Sequence, residues 1–249
     1  MQGARPKPRG GVQDGTPSRA RERNAADAAR HGVAVRELGL VSYADAMAHQ
    51  LALLEARRQG QAGDVLLLLE HPPVVTLGRS AREENLRVPR ESLRAQGVEL
   101  FEVARGGDVT WHGPGQLVGY PILDLAARGA PDLHAYLRRL EALLCESLAA
   151  LGVAACTRPG MTGVFVADPA AVRPRKIASI GVGVRGWVTW HGFALNVDCD
   201  LAGFDCIVPC GLAGVEMTSV ARELGASAPA DLGRRAREAV RAAFLTQFA

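Results

Sequence analysis

Apolar and polar positions along the chain become regular near Val33, and Val33 to Leu38 reads as a strand. Ser42, with Asp45 three residues on, resembles a capping box that opens a helix to about Arg58, with Ala46, Met47, Gln50, Leu51 and Leu54 on one face. Gly60 and Gly63 close it. Val65 to His71 is a short buried strand stopped by Pro72 and Pro73, and Val74 to Leu77 continues the sheet. Val98 to Ala104 is a further strand, and so is Gln116 to Leu125, whose Pro121 suggests an edge or a bulge. The clearest helix runs from an N-cap at Asp132 to about Ala150. Leu133, Tyr136, Leu137, Leu140, Leu144, Leu148 and Leu151 keep one of its faces apolar, and Gly152 stops it. Gly163 to Ala167, Ile177 to Arg185 and Trp187 to Val197 are strand-like, the last two joined by a turn at Gly186. Helices near Thr218 to Leu224 and Asp231 to Gln247 end the chain. Strands come in runs with few helices between them, which predicts an α+β fold with a mixed or antiparallel sheet and helices on one side.

Residues 1–31 stand apart from this pattern. They are rich in Gly, Pro and Arg and almost free of large apolar residues, which predicts a disordered basic extension, with a targeting or tethering arm as the alternative. Residues 32–249 are then expected to form a single domain. With 48% hydrophobic and 22% charged residues among 249, the chain can bury a sizeable core. The formal charge of +3 is mildly basic, but the arginines are spread out and aromatic residues make up only 5%, so nucleic acid is a poor candidate partner. No apolar run is long enough to span a bilayer and no secretory h-region opens the chain. Five cysteines, an odd number, then argue for reduced thiols and a cytoplasmic protein.

Cys210 lies in Val208-Pro209-Cys210-Gly211, where proline and glycine favour a tight turn rather than a helix interior. A thiol presented in this way can act as a nucleophile, but it is weakly ionised at neutral pH unless a cation stands beside it. Lys176, in Pro174-Arg175-Lys176-Ile177, is a candidate for that cation if the fold brings the two together. Cys199, Cys206 and Cys210 contain no Cys-x-x-Cys pair, which argues against zinc, and neither a metal nor a cofactor is expected. The loop Arg105, Gly106, Gly107, Asp108, Val109, Thr110, Trp111, His112 runs on to Gln116 through Gly113 and Gly115. Its glycines let backbone approach a ligand, Arg105 could bind an anion and His112 could donate to a carbonyl; equally, the glycines could serve only the turns. Ser179 and Gly181 leave room beside a strand. Gly192, inside His191-Gly192-Phe193-Ala194, suggests close approach of backbone or ligand.

Taken in order, Glu70 to Gly78, Arg105 to Gln116, Lys176 to Gly181, His191 to Asn196 and Pro209 to Gly211 resemble the motif series of the lipoyl(octanoyl) transferase family of lipoate biosynthesis, over roughly residues 33–245. The resemblance implies the α+β fold of biotin and lipoate protein ligases. It also implies transfer of an octanoyl group from octanoyl-acyl carrier protein to a lysine of a lipoyl domain, as found in 2-oxoacid dehydrogenase acyltransferase subunits and the glycine cleavage H protein. Cys210 would be the acyl-accepting nucleophile and Lys176 the residue that favours its thiolate. Arg105 to His112, Ser179, Ile180 and Gly181, and Gly192, Phe193 and Ala194 would contact substrate. Trp111 stands where Tyr or Phe is usual, a change that would narrow the pocket. An ATP-dependent lipoate or biotin ligase on the same fold, with an incidental cysteine, is the rival enzyme; a non-catalytic binding module for carrier protein or nucleic acid is the rival outside catalysis.

Overall fold

A computed structural model of the chain describes residues 32–211 and 214–249; the expected disordered extension of residues 1–31 lies outside them. In chain order its strands are β1 (Val33–Leu40), β2 (Asp64–Glu70), β3 (Val74–Leu77), β4 (Glu99–Glu102), β5 (Val109–His112), β6 (Gln116–Ile122), β7 (Ala155–Arg158), β8 (Met161–Val166), β9 (Arg175–Arg185), β10 (Val188–Asn196) and β11 (Glu216–Met217). Its α-helices are α1 (Tyr43–Arg58), α2 (Arg90–Ala95), α3 (Leu133–Ala150), α4 (Val220–Leu224) and α5 (Leu232–Phe248).

The helices begin where their caps place them. Ser42 Oγ accepts the Asp45 N–H at 3.1 Å and donates to the Asp45 carboxylate at 2.7 Å. The Asp132 carboxylate accepts from the His134 and Ala135 N–H groups at 2.8 and 3.1 Å. These bonds satisfy amides that a helix start leaves unpaired.

Seven strands lie side by side in the order β1-β2-β6-β10-β9-β8-β7, and β11 pairs with β9 to complete a mixed eight-stranded sheet. The β1/β2 and β11/β9 pairs are parallel and the rest antiparallel. Strand β2 reads as an unbroken apolar run because both of its faces are covered. Leu66 and Leu68 face the layer formed by α3 and α5, together with Leu117, Leu195 and Phe244. Val65, Leu67 and Leu69 face α1 through Ala46 and Leu54. The one-sided helical layer expected from the sequence is thus the α3/α5 pair, while α1 covers the opposite face.

Two strands sit elsewhere than their patterns suggest. Val74 to Leu77 does not extend the main sheet. Pro72 and Pro73 end the β2 ladder, and β3 joins a separate three-stranded sheet in the order β4-β3-β5. Strand β6, with Pro121, is central rather than at an edge. Its ladder with β10 covers only Gln116 to Gly119, and beyond it the Thr189 hydroxyl donates to the Pro121 carbonyl at 2.7 Å and accepts the Leu123 N–H at 3.0 Å. The missing proline N–H therefore falls where a side chain has replaced the ladder. Among the described residues no helix is long and apolar enough to cross a membrane.

Candidate active site

The small sheet and strands β6, β8, β9 and β10 of the main sheet line a pocket of about 220 Å³, and Cys210 and Lys176 meet in its wall. Lys176 Nζ is 3.2 Å from Cys210 Sγ and donates to the Thr162 carbonyl at 3.0 Å. The lysine is 1% exposed. Its backbone is held in β9 by pairing with Met217 of β11, and the Thr218 N–H donates to the Lys176 carbonyl. Gly163 makes room for it: at φ 118° a Cβ there would stand 2.8 Å from Lys176 Cε and 2.6 Å from the Ala178 carbonyl oxygen.

Cys210 is presented on a sharp turn, in the left-handed region at φ 56°, followed by Gly211 at φ 64°. Such a conformation is costly for a non-glycine residue and persists only where neighbours enforce it. The neighbours here are residues of the small-sheet layer. The Val208 N–H donates to the Asn85 carbonyl, Asn85 Nδ2 donates to Asp108 Oδ2 at 2.6 Å, and that carboxylate would meet any Cβ at Gly211 at 2.5 Å. Ser179 Oγ lies 3.9 Å from the sulfur.

Of the expected substrate-contacting residues, Arg105, Gly107, Asp108, Val109, Thr110 and His112 line the pocket. So do Ser179, Ile180, Gly181, Gly192, Phe193 and Ala194. Gly106 and Trp111 do not. Gly106 sits behind the wall, its N–H donating to the Val182 carbonyl and its own carbonyl 2.9 Å from where a Gly181 Cβ would be. Trp111 belongs to a different core, 5.2 Å from the Phe204 ring centroid in an edge-on arrangement, so its bulk does not narrow the pocket. Gly192 abuts the Gly119 carbonyl and the Pro121 ring, where a Cβ would stand at 2.2 and 2.6 Å.

The hydrogen bonds assign roles to the polar wall. Arg105 is buried; its Nη2 donates to both the carbonyl and the hydroxyl of Thr76 at 2.8 Å, and its Nη1 to the Gly106 carbonyl. Burial pulls this guanidinium below its ordinary value, against the opposing pull of Tyr43 and Cys210. Asn196 Nδ2 donates to the Thr218 carbonyl, and Gln116 Nε2 donates to the Trp111 carbonyl and Asn196 Oδ1. Gln116 Oε1 is therefore the atom 2.6 Å from His112 Nδ1, which must carry the proton. Burial pushes His112 down to about 3, so it is neutral and its Nε2 is an acceptor, not the carbonyl donor the sequence suggested. His71 likewise donates from Nδ1 to the Val41 carbonyl and accepts the Tyr120 hydroxyl at Nε2, 2.7 Å away.

Tyr43, Tyr120, Met161, Thr162 and His191 also line the pocket and had not been singled out as site residues. For His191 the following Gly192 was a usable signal; Tyr43, on the first turn of a helix far away in sequence, gave none. Among the described residues no group of three or more His, Cys, Asp or Glu could hold a metal ion.

A family model described as the lipoyl protein ligase A/B catalytic domain matches residues 42–249. The octanoyltransferase of Geobacter sulfurreducens is 52% identical over 189 residues, covering 76% of this chain and 74% of its own. That of Myxococcus xanthus is 46% identical over 216 residues, covering 87% of this chain, which spans 59% of that relative's length. Among solved structures, a bi-partite lipoate protein ligase from Thermoplasma acidophilum superposes with a TM-score of 0.61 at 19% identity, covering 85% of this chain and 82% of that one. A lipoate-protein ligase A bound with ATP superposes with a TM-score of 0.59, also at 19% identity, covering 86% of this chain and 84% of that one. Both show the shared fold.

Proposed function

Because the chain belongs to the lipoyl protein ligase A/B catalytic domain family, and because its curated relatives are octanoyltransferases, we propose that residues 32–249 transfer an octanoyl group to the lysine of a lipoyl domain through an acyl-cysteine intermediate. The observation that carries this reading is the 3.2 Å approach of Lys176 Nζ to Cys210 Sγ in the wall of the pocket.

An ammonium at that distance favours the thiolate, the form of cysteine that attacks. The donor is octanoyl-acyl carrier protein. The Cys210 thiolate adds to its thioester carbonyl, with the developing oxyanion held by backbone N–H groups of the glycine-rich wall. The carrier's thiolate leaves with a proton taken from the Lys176 ammonium, and the octanoyl group remains as a thioester on Cys210. The neutral amine of the acceptor lysine then attacks that thioester, the Cys210 thiolate is expelled, and the amine's proton passes to Lys176 or to solvent. One thioester is exchanged for another and then for an amide, so no ATP enters. The acceptors are lipoyl domains of 2-oxoacid dehydrogenase acyltransferase subunits and the H protein, and the reduced thiol this chemistry needs fits a cytoplasmic setting. Arg105, Gly107 to Thr110, His112, Ser179 to Gly181 and Gly192 to Ala194 make the wall against which the acyl chain lies. Burying the chain contributes about 0.8 kcal/mol per methylene.

Intact-mass spectrometry after mixing with octanoyl-acyl carrier protein tests the reading. One added octanoyl group, labile to hydroxylamine, mapping to Cys210 and missing in Cys210→Ser, is the expected result. An acyl group on Cys206, or transfer that strictly requires ATP, would replace this mechanism with another.

A further inference from the structure

Glu141 lies midway along α3 on a face otherwise lined by Leu140, Leu143 and Leu144, and it is 1% exposed. A carboxylate placed there loses several kcal/mol of hydration unless charge and hydrogen bonds compensate. Its Oε2 is 2.6 Å from Arg138 Nη1, and its Oε1 accepts the Gly163 N–H at 3.1 Å. That N–H and the Thr162 carbonyl belong to one planar peptide unit and point to opposite sides of it. The Thr162 carbonyl holds Lys176 Nζ at 3.0 Å, and the same Nζ approaches the Cys210 sulfur.

We propose that Glu141 is a positioning residue for the transfer reaction, pinning the Thr162–Gly163 peptide so that its carbonyl aims the Lys176 ammonium at the Cys210 thiol. The inference rests on the Cys210–Lys176 reading above. Two features make such a pin necessary. The pairing of β8 with β9 shifts register between Val164 and Phe165, next to this peptide, so the sheet ladder is irregular there. Gly163 adopts φ 118°, a region that glycine enters and leaves freely, and alone it would not fix the peptide plane. A carboxylate on the N–H also polarises the amide and strengthens its carbonyl as an acceptor for the ammonium. Around the thiol itself the other charged groups are Arg105 and Asp108, held by Thr76 and Asn85, and neither touches this peptide.

The test compares Glu141→Ala, Glu141→Gln and Lys176→Ala with Ser147→Ala, a buried change on the same helix where the hydroxyl bonds only the Leu143 carbonyl. Iodoacetamide labelling of Cys210, resolved by peptide mapping against pH, is measured beside kcat and KM for octanoyl transfer. Glu141→Ala should slow labelling at pH 7 by about tenfold, move its pH midpoint upward and lower kcat by about tenfold with KM within about twofold. Glu141→Gln keeps an oxygen acceptor for Gly163 and should recover labelling to within about threefold of the parent. If Glu141→Ala fails to fold, Glu141→Asp, which keeps the charge but falls one methylene short of Gly163, should show the same slowing. A Glu141→Ala or Glu141→Asp profile that matches the parent, or an equal loss in Ser147→Ala, overturns the inference while Lys176→Ala still slows labelling. An unchanged profile in Lys176→Ala itself overturns the underlying Cys210–Lys176 reading instead.

Discussion

Lowering the pH from 7 to 5 should cost this protein several kcal/mol of stability, through three histidines clustered around the pocket. His71, His112 and His191 are all nearly inaccessible to solvent. Burial pushes His71 down to about 4 and His112 and His191 to about 3, from an ordinary 6.5. In the unfolded chain each would bind a proton below about pH 6.5; in the folded protein each stays neutral until far lower pH. The unfolded state then holds more protons, so stability is present above pH 6.5 and is lost as the pH falls towards 4 and 3. At pH 5, one and a half units below the unfolded value, each histidine accounts for about 2 kcal/mol, and the three together for roughly 6 kcal/mol, against a typical total of about 5–15 kcal/mol. His49 and His134 are exposed on helices and Asp231, held below its ordinary value by Arg235 and Arg234, acts only at lower pH. Urea unfolding at half-unit steps between pH 7.5 and 5 reads both the loss and the proton uptake, which should approach three protons in the lower half of the range. His191→Gln should reduce that uptake by one. Stability level to within about 1 kcal/mol across the range would refute the reasoning.

Other outcomes follow from the same geometry. Lys176→Ala should slow alkylation of Cys210 at neutral pH, and Lys176→Arg should restore part of it while octanoyl transfer to the acceptor amine stays impaired, because arginine keeps the charge but gives up no proton. Gly163→Ala should destabilise the protein by about 1–3 kcal/mol from backbone strain, read by thermal melting. It should also slow Cys210 alkylation, since the new methyl meets Lys176 Cε at 2.8 Å. Trp111→Phe should lower stability by about 1–3 kcal/mol through lost packing on Phe204 and leave KM for octanoyl-acyl carrier protein unchanged; a shifted chain-length preference would put Trp111 back in the pocket.

What the sequence made legible was local. Ser42 and Asp132 mark helix starts because a cap needs only the next three residues, and Pro209 and Gly211 mark a turn at Cys210 for the same reason. Gly181 announced room beside a strand and Gly192 close approach, although not by what: the Arg105-Gly106 segment lies against the first, the Gly119 carbonyl and Pro121 ring against the second. What stayed hidden depends on pairing between distant segments. Pro72 and Pro73 mark the end of β2, but nothing near Val74 says which sheet β3 joins, and the Pro121 site is completed by Thr189, distant in sequence, which bonds the Pro121 carbonyl and the Leu123 N–H in place of the ladder. The aim of Trp111 into a core away from the pocket depends on Phe204, and the protonated nitrogen of His112 is set by carbonyls at Trp111 and Thr218 through Gln116 and Asn196.

The Cys210–Lys176 pair proposed to react is assembled from both sheets, and this explains why no single segment predicted its distance. The ammonium belongs to the main sheet: β9 carries it, β8 anchors it through Thr162, and β11 pairs with its backbone. The sulfur belongs to the small-sheet layer: Asn85 and Asp108 hold the turn that presents it. A shift of one layer against the other would lengthen the contact between Nζ and Sγ directly, since neither side holds both groups. The apolar core around Trp111 resists that shift, because it packs Met217 of β11 with Val75, Val109 and Trp111 of the small sheet and with Phe204 and Ile207 just before the Cys210 turn. Trp111 therefore stands one step removed from the chemistry. Its contribution is to keep two layers in register so that a lysine on one meets a cysteine on the other.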